Sequence, residues 1–493
     1  MSIISNEARR NAKALAAVGG AALVSAAAWY ANAYIGYSAA KVPDGATVHF
    51  SGRTSRTDGG GGDFQYDANS IQPHDGAFVI QPANGVGRFL RKGWTVFGFT
   101  GTAYVEYFGA KGWGTVDDAP AINAAVTTMQ AYPAGGAIHL SPGKRYGIGS
   151  KVNIPVLPDK SMIIDGNGAV VLNLVSYDSV LFYLGNSVSA GGFAPIVRNI
   201  VFRASTANAT ATHFEWAGTS QVIDCTFIGF ANGAVLTNSY AMSFRGPKFI
   251  GCYAGILATT YAHHLKISNG QFSGCTIDIH ALEPLHNLTI RDTDQEGGMN
   301  ALVMEKGGSA LSIIGGYIEG YTGQPFVYGT GVYGVIFEGN WLGFNASQDW
   351  TNAFGVRSAG NIFWDQHQVP GNGELDIGYN LYAGTSNVLY GTYKAATLLN
   401  GFENYGFDYA PAGYRKNSLG AVSVKAGIKG TVDGTAFYLP VGSRPAEKRT
   451  WLVPSLTGAA VGRVRIDPAD GAVVVFLAGG TADLSCISFI AEA

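Results

Sequence analysis

The sequence predicts an all-β chain whose central part is a parallel β-helix, in which short strands stack coil upon coil. Three observations support this fold class: an internal repeat of about 23 residues, a low content of charged residues and a high content of glycine. A regular repeat of this length indicates a solenoid, because each coil buries its inward face against its neighbours.

The repeat is marked by glycines at steps of 22 and then 23 residues, namely Gly229, Gly251, Gly274, Gly297, Gly320 and Gly343. Seven positions before them lie Val222, Phe244, Ile267, Ile290, Ile313 and Ile336. Two positions earlier lie Ser220, Met242, Leu265, Leu288, Leu311 and Gly334. Two positions before the glycines lie Phe227, Phe249, Phe272, Gln295, Ile318 and Trp341. Because alternate residues of a strand face opposite ways, these three ladders are predicted to point inward.

Composition narrows the class of protein further. Charged residues make up 13% of the chain and 69 of its 493 residues are glycine, against usual values of about 25% and ~7%. The net charge of −2 provides no basic surface for phosphate backbones, so nucleic acid is not an expected partner. Four cysteines match no zinc spacing and are too few for a disulfide framework.

The N-terminal 40 residues are rich in alanine and glycine and include a few basic residues near their start. One interpretation is a helical anchor, residues 1–40, that stays attached and packs closely against copies of itself or a partner in an assembly. The alternative is a secretory signal, because Ala31-Asn32-Ala33 resembles a cleavage site. A small region of short strands and turns is predicted over residues 41–100.

A helix is predicted near residues 118–131, at the start of a β-helix spanning about 101–400. Asp117 or Asp118 can cap this helix, and Pro120 suits its first turn. Regular coils are expected to begin near residue 160.

The segment from Val105 to Val126 resembles the opening motif of the pectate-lyase-like family, which includes phage tailspikes. In that family a strand, a glycine-rich turn with acidic residues and a short helix cap the first coil. Trp113 departs from the pattern, since the family usually has Asp there. The resemblance implies a right-handed parallel β-helix.

From residue 417 to 493, short strands alternate with Gly, Pro and Asp turns, which predicts a separate β-sandwich. The segments from Phe437 to Pro445 and from Leu484 to Glu492 resemble terminal domains of phage tail fibres and spikes. That resemblance implies a domain that forms trimers, binds glycans, or does both.

The repeat register predicts where catalytic carboxylates lie. Because Gln295 and Ile318 are inward, Asp294, Glu296 and Glu319 point outward. Glu296 and Glu319 occupy the same position in successive coils, about 4.8 Å apart. Two like charges so close raise the pKa of one carboxyl, which suits a general acid. The direct stack matches the ~5 Å spacing of retaining glycosidases, and the Asp294–Glu319 diagonal, roughly 8 Å, matches the inverting range.

Four further residues are predicted to bind substrate. Asp292 and Glu338 add carboxylates at a bend, Tyr317 can stack on a sugar ring, and Asn340 can hydrogen-bond hydroxyl groups. Two other interpretations of the acidic residues remain open. In one, the carboxylates accept hydrogen bonds from backbone amides of the turns. In the other, the carboxylates of Asp292-x-Asp294-x-Glu296 bind a cation such as calcium. The primary interpretation includes no cofactor and no metal.

The leading functional hypothesis is a homotrimeric phage tailspike that attaches to the tail through its N-terminus. It would bind a bacterial surface polysaccharide and cleave it by hydrolysis. One alternative is a spike that binds without cleaving. Another is a secreted polysaccharide lyase, for which Lys266, Arg291 and Tyr317 are the nearest candidates for the base.

Overall fold

The computed structural model describes residues 29–56, 58–95, 98–99, 103–132, 135–157, 160–185, 195–343, 348, 352–363, 375–376, 381–382, 394–406, 409–416, 421–457, 460–477 and 480–491. The chain divides into two compact units, one ending at Thr226 and one starting at Phe227. Among the described residues, no helix has the length and apolar character needed to cross a membrane.

The first unit begins with a small β-domain. Its strands are β1 (Trp29–Ala31), β2 (Thr47–Phe50), β3 (Gly62–Asp67), β4 (Val79–Ile80) and β5 (Arg88–Arg91), followed by a hairpin of β6 (Trp94–Thr95) and β7 (Gly98–Phe99). The five strands form one sheet in the order β1-β2-β3-β5-β4. Tyr34, Phe50, Phe64 and Phe89 fill its core.

The predicted boundary of the helical anchor at residue 40 differs from the structure. Residues 29–31 form a strand that pairs in parallel with β2, and Tyr34 is fully buried against Phe50 and Phe64. These residues belong to the β-domain, because Tyr34 packs in its aromatic core. Residues 1–28 of the predicted anchor lie outside the described residues.

Parallel coils follow in the same unit. Their strands are β8 (Ala103–Tyr104), β9 (Trp113–Asp117), β10 (Gly135–His139), β11 (Arg145–Ile148), β12 (Val152–Pro155), β13 (Ser161–Asn173), β14 (Val180–Gly185), β15 (Ile196–Arg203), β16 (Thr210–Glu215), β17 (Gln221–Ile223) and β18 (Thr226–Ile228), whose last two residues belong to the second unit. A 3₁₀ turn spans Val105–Phe108 and helix α1 spans Ala119–Ala131. Strand β10 pairs in parallel with β8 and β13, so the coils begin near residue 103 and not near 160.

Helix α1 starts where the sequence predicts it, but its acidic residues act differently from simple caps. Asp118 is the N-cap residue without capping through its side chain. Its carboxylate instead accepts hydrogen bonds from the amides of Lys111, Gly112 and Gly147. Asp117 accepts one from the Ala119 amide. Asp118 therefore joins the helix to the first coils.

The second unit continues with coil strands: β19 (Asn232–Thr237), β20 (Ser239–Tyr240), β21 (Ser243–Arg245), β22 (Lys248–Ile250), β23 (Ala254–Ala258), β24 (Ala262–His263), β25 (Lys266–Ser268), β26 (Gln271–Ser273), β27 (Ile277–Ala281), β28 (Leu285–His286), β29 (Thr289–Arg291), β30 (Asp294–Glu296), β31 (Asn300–Met304), β32 (Gly308–Ile314), β33 (Tyr317–Glu319), β34 (Phe326–Tyr328), β35 (Val332–Glu338), β36 (Trp341–Gly343), β37 (Ala353–Phe354), β38 (Arg357–Ala359), β39 (Ile362–Phe363), β40 (Leu375–Asp376) and β41 (Leu381–Tyr382).

Three sets of parallel pairs run along these coils. Sheet 1 contains β22, β26, β30, β33, β36, β39 and β41. Sheet 2 contains β21, β25, β29, β32, β35, β38 and β40. Sheet 3 contains β19, β23, β27, β31 and β34. The prediction of a parallel β-helix is confirmed.

The inward ladders fill the interior. Phe227, Phe249 and Phe272 stack face to face, with ring centroids 4.7 and 4.8 Å apart. Burying each such ring stabilises the coils by about 1.5–3 kcal/mol. The chain leaves sheet 1 through left-handed glycines such as Gly274 and Gly297, at φ +62° and +71°, a conformation that glycine adopts without steric cost.

The predicted ladders fail at one coil. Tyr317 pairs with Trp341, a step of 24 residues, whereas Asp294 pairs with Tyr317 at a step of 23. Leu302 likewise pairs with Phe326, which locates the extra residue in the segment 320–325. The inward residues of the next coil are therefore Val335, Phe337 and Leu342 rather than Gly334, Ile336 and Trp341.

The C-terminal part of the second unit is an antiparallel β domain. Its strands are β42 (Lys394–Ala395), β43 (Glu403–Asn404), β44 (Gly413–Lys416), β45 (Ala421–Lys425), β46 (Gly427–Lys429), β47 (Gly434–Tyr438), β48 (Arg449–Pro454), β49 (Val461–Ile466), β50 (Ala472–Phe476), β51 (Thr481–Asp483) and β52 (Ser488–Ile490). They form three sheets around one apolar core that includes Phe402, Phe437 and Phe489. The domain starts near residue 394 rather than 417, since β42 pairs with β44.

One carboxyl group inside the coils has no cationic partner in the described part of the chain. Asp278 is fully buried, and burial raises its pKa well above the usual value. The Tyr321 hydroxyl and the Gln295 amide both donate hydrogen bonds to its Oδ2. Because charged Asp is costly in this environment, the folded state favours protonated Asp278.

Substituting Asp278→Asn should make stability less dependent on pH. In the parent, folding retains a proton that the unfolded chain releases above a pKa of about 3.9, so stability falls as pH rises from there towards the raised folded pKa. The amide has no proton to lose and should keep its midpoint across this window. Denaturation midpoints between pH 4 and 8 measure the slope.

Asp278→Ala is the contrasting variant. It leaves the Tyr321 hydroxyl without its acceptor and should be less stable than Asp278→Asn by about 1–3 kcal/mol at every pH. Equal pH slopes for the parent and Asp278→Asn would contradict a protonated Asp278.

Candidate functional site

The acidic residues lie on the outer face of sheet 1. Glu296 pairs with Glu319 in the next coil, and Asp294 pairs with Tyr317. Gln295 and Ile318 between them are buried, so the outward direction of the neighbouring side chains is confirmed. Asp294 is exposed, and the two glutamates are partly exposed.

Beyond Glu319 the acidic column ends at a glycine. Gly343 pairs with Glu319, and a Cβ atom added to Gly343 would lie 3.1 Å from the Glu319 Cβ. On the other side, Ser273 pairs with Glu296. The glutamate pair is therefore bordered by two small residues.

An aromatic pair lies in the neighbouring outward column. Trp341 pairs with Tyr317, and their rings stack with centroids 6.1 Å apart at an interplanar angle of 17°. Sequence reasoning missed Trp341, because an unbroken 23-residue repeat assigned it to the interior. In the sequence, only the length of the 320–325 segment could have indicated that Trp341 lies outward.

Tyr317 is electrostatically linked to the acids. Its pKa is raised, first by a hydrogen bond with the Glu319 side chain and then by partial desolvation and the charges of Glu319, Glu296 and Asp294. The phenol therefore holds its proton and serves as a donor beside the carboxylates.

Two predicted binding residues lie away from this cluster. Asp292 is exposed at a left-handed corner with φ +49°, and its Oδ1 lies 2.5 Å from where a Gly315 Cβ would be. The Asp292 carboxylate therefore lies against the turn at Gly315 in the next coil, which is the position of a residue that stabilises a turn. Glu338 is exposed on sheet 2, where it pairs with Ile314. Because Ile314 pairs in turn with Arg291, the extra residue places Glu338 in the column of Arg291, two coils away, and not in the column of Asp292.

The prediction that Asn340 contacts a ligand is wrong, because its side chain is buried with only 1% exposed. Its amide donates to the Ile313 carbonyl at 2.8 Å and to Asn361 Oδ1 at 2.9 Å, and its Oδ1 accepts from the Gly316 amide at 2.8 Å. Asn340 therefore holds three successive coils together at the corner between sheets 1 and 2.

One alternative interpretation of the acidic residues is a cation site. Across the described ranges, no group of three or more His, Cys, Asp or Glu side chains has the geometry to hold a metal ion. Cys252 and Cys275 are buried free thiols in successive coils.

Comparisons with known proteins identify the fold and one domain. Residues 39–94 match the family of the phage tail protein small four-stranded β-sheet domain, and they contain β2, β3, β4 and β5. The tailspike protein of Acinetobacter baumannii phage AM24 aligns at a TM-score of 0.51 and 12% identity, covering 90% of this chain and 92% of that one. The ORF18 protein of Geobacillus virus E2 also reaches a TM-score of 0.51 at 12% identity, covering 92% and 90%.

The chain has the fold of phage tailspikes and carries a phage tail domain. The virion tail is accordingly its location. Residues 131–296 of this tail protein also match the family described as adenovirus EB1 55K protein / large t-antigen. That match covers about a third of the chain and brings no activity with it. A search of curated proteins finds no match to the tail protein.

Substituting Asn340→Ala should lower stability without weakening the polysaccharide binding that the sequence predicts. The change leaves the Gly316 amide and the Ile313 carbonyl without their hydrogen-bond partner inside the coils. The expected loss is about 1–3 kcal/mol of unfolding free energy for each buried group. Urea or thermal denaturation measures the loss, and binding to host polysaccharide is compared per folded molecule. An unchanged midpoint with weakened binding would instead support a direct ligand contact.

Proposed function

We propose that this tail protein binds a bacterial surface polysaccharide and cleaves it by hydrolysis at Asp294, Glu296 and Glu319. The observation that carries the proposal is the in-register stack of Glu296 on Glu319 beside the Tyr317–Trp341 ring pair. Carboxyl pairs perform glycosidic hydrolysis, and flat aromatic surfaces suit the apolar faces of sugars.

In the reaction, one carboxyl group protonates the glycosidic oxygen while a second acts on the anomeric carbon or on water. If Glu296 and Glu319 form the pair, at about 5 Å, the mechanism is retaining. If Asp294 and Glu319 form it, at roughly 8 Å, a water fits between them and the mechanism is inverting. Tyr317, protonated beside Glu319, orients that carboxylate.

Attachment to the tail is assigned to the N-terminal β-domain, since residues 39–94 match a phage tail domain. Residues 1–28 are proposed to remain attached and to contribute to this docking. A spike that binds without cleaving has the same architecture. A secreted lyase would not require a tail domain, so the match at residues 39–94 disfavours it.

Glu319→Gln and Glu296→Gln should each lower turnover of host polysaccharide by about two or more orders of magnitude. Glutamine keeps the size of the side chain but removes the carboxyl that transfers the proton. Product sizing measures turnover, absorbance of unsaturated ends reports elimination, and NMR of the first anomer distinguishes retention from inversion.

The matched control is Glu305→Gln, which changes an exposed glutamate just past sheet 3 that pairs with His280 at 2.7 Å. It should keep the parental turnover. Parental rates for both sheet 1 variants would show that the pair is structural. Binding without any turnover by the parent would support the binding-only spike.

We further propose that the protein is a homotrimer. Large apolar side chains are exposed on the coils, including Ile250 at 37%, Tyr333 at 59% and Phe354 at 38%, and neighbouring chains would cover them. Sedimentation equilibrium of the full-length protein should give three times the 51.6 kDa chain mass. A stable monomer at micromolar concentration is the contrary result.

A further inference from the structure

Two cysteines of the second unit lie side by side at the corner between sheet 1 and sheet 3. Cys252 follows β22 and Cys275 follows β26, and these two strands pair in parallel. On the other side of the corner β23 and β27 also pair in parallel, and the Thr276 amide donates to the Cys252 carbonyl at 2.9 Å. Pairing on both sides therefore places Cys275 directly beside Cys252, one coil further along.

The separation of the two residues suits a disulfide bond. Neighbouring parallel strands lie about 4.8 Å apart, which is within the ~4.4–6.8 Å that a disulfide spans between Cα atoms. Both side chains point into the corner, since Cys252 is 1% exposed and Cys275 is fully buried. The two thiols also hydrogen-bond to each other. The sulfur atoms are therefore neighbours inside the same corner.

The other two cysteines are placed differently. Cys225 precedes its strand β18, whereas Cys252 follows β22, so the two residues occupy different positions of the coil. The Cys225 thiol donates to the carbonyls of Val197 and Ile223, at 3.7 and 3.5 Å. Cys486 is exposed in the C-terminal domain. Cys225 thus provides an internal comparison, as a buried thiol outside the pair.

The corner that holds the pair lies close to solvent. Gly251 and Gly274, which immediately precede the two cysteines, are exposed, and open space lies where a Cβ atom of either glycine would be. Tyr253, on the other side of Cys252, is 58% exposed. The thiols therefore lie one residue below the surface, within reach of an oxidant about as small as water.

The hydrogen bond between the thiols makes them chemically unequal. Cys275 donates and Cys252 accepts, which lowers the pKa of the Cys252 thiol and raises the pKa of the Cys275 thiol. Because the thiolate is the nucleophile in thiol oxidation, Cys252 is the residue that reacts first with an oxidant. Cys275 is then in position to close the bond.

We propose that Cys252 and Cys275 form a disulfide bond between successive coils when the protein meets a peroxide. The Cys252 sulfur attacks one oxygen of hydrogen peroxide, the O–O bond breaks, and Cys252 becomes a sulfenic acid as water leaves. The Cys275 sulfur then attacks the Cys252 sulfur, the S–O bond breaks, and hydroxide leaves with the Cys275 proton as a second water. The two thiols lose two electrons and two protons, and one peroxide is reduced to two waters.

The bond would link the coils next to the glutamate pair. Ser273, two residues before Cys275, pairs with Glu296, but the thiols point into the corner and not to the outer face of sheet 1. A cross-link stabilises the folded state mainly by restricting the unfolded chain. Oxidation should therefore raise the stability of the coils, whether or not the carboxylates on sheet 1 cleave a glycan.

The test is a peptide map of the full-length, folded protein after treatment with hydrogen peroxide. Remaining thiols are blocked with N-ethylmaleimide in urea, and the chain is then digested with trypsin without a reductant. Trypsin cleaves after Lys248, Lys266 and Arg291, so Cys252 and Cys275 lie on separate peptides. A disulfide between them joins these peptides into one species that a reductant separates again.

The expected product is peptide 249–266 joined to peptide 267–291, lighter than their sum by two hydrogen atoms. Cys225 should be recovered on its own peptide as the N-ethylmaleimide adduct, although it is equally buried. The midpoint of urea denaturation should shift upward after peroxide treatment and return to its original value after reduction.

Cys225→Ser is the matched control, because it removes a buried thiol outside the pair. It should still give the joined peptides and the upward shift, whereas Cys252→Ser should give neither. If a serine variant does not fold, the peptide map of the parent decides the outcome. The proposal is overturned if the parent yields Cys252 and Cys275 as N-ethylmaleimide adducts, or as sulfinic or sulfonic acids, without the joined species. It is also overturned if Cys225 joins either residue as often as they join each other.

Discussion

Register between coils is the constraint on which the rest of the structure depends. Each strand of sheets 1, 2 and 3 pairs in parallel with the strand one coil away, so each side chain lies above the same position of the coil before it. Inward columns become stacks such as Phe227, Phe249 and Phe272. Outward columns become rows of functional groups spaced by the strand separation of about 4.8 Å.

This constraint explains why the candidate site is so local. Paired strands force Glu296 and Glu319 together, although like charges repel and the neighbours in the column are Ser273 and Gly343. A repeat under selection for stability alone has no reason to keep two stacked glutamates on an exposed face. The stacked rings of Tyr317 and Trp341 lie beside them in the neighbouring outward column.

The interior shows the same constraint acting on polar groups. Asp278, Gln295 and Tyr321 lie in different coils, and stacking brings them together in a buried cluster. Asn340 and Asn361 satisfy each other and the backbone at a corner where the chain changes direction. In the first unit, the buried Arg91 guanidinium lies over the rings of Phe64 and Tyr107, at 4.4 and 3.7 Å from their centroids. That contact ties the tail domain to the first coil.

The sequence by itself determined the fold class and the pairing of Glu296 with Glu319, because a constant step of 23 residues and strand alternation suffice for these. It also determined helix α1, whose start is marked by Asp118 and Pro120. It did not determine the register of the coils beyond the segment 320–325. One added residue there shifts the side chains of the next coil by one position, which exchanges inside and outside. For that reason Trp341 lies outward, Glu338 lies above Arg291, and Phe337 fills the place expected for Ile336. The burial of Asn340 was likewise decided by tertiary structure, since its partners come from the coils before and after its own and leave no local pattern in the chain.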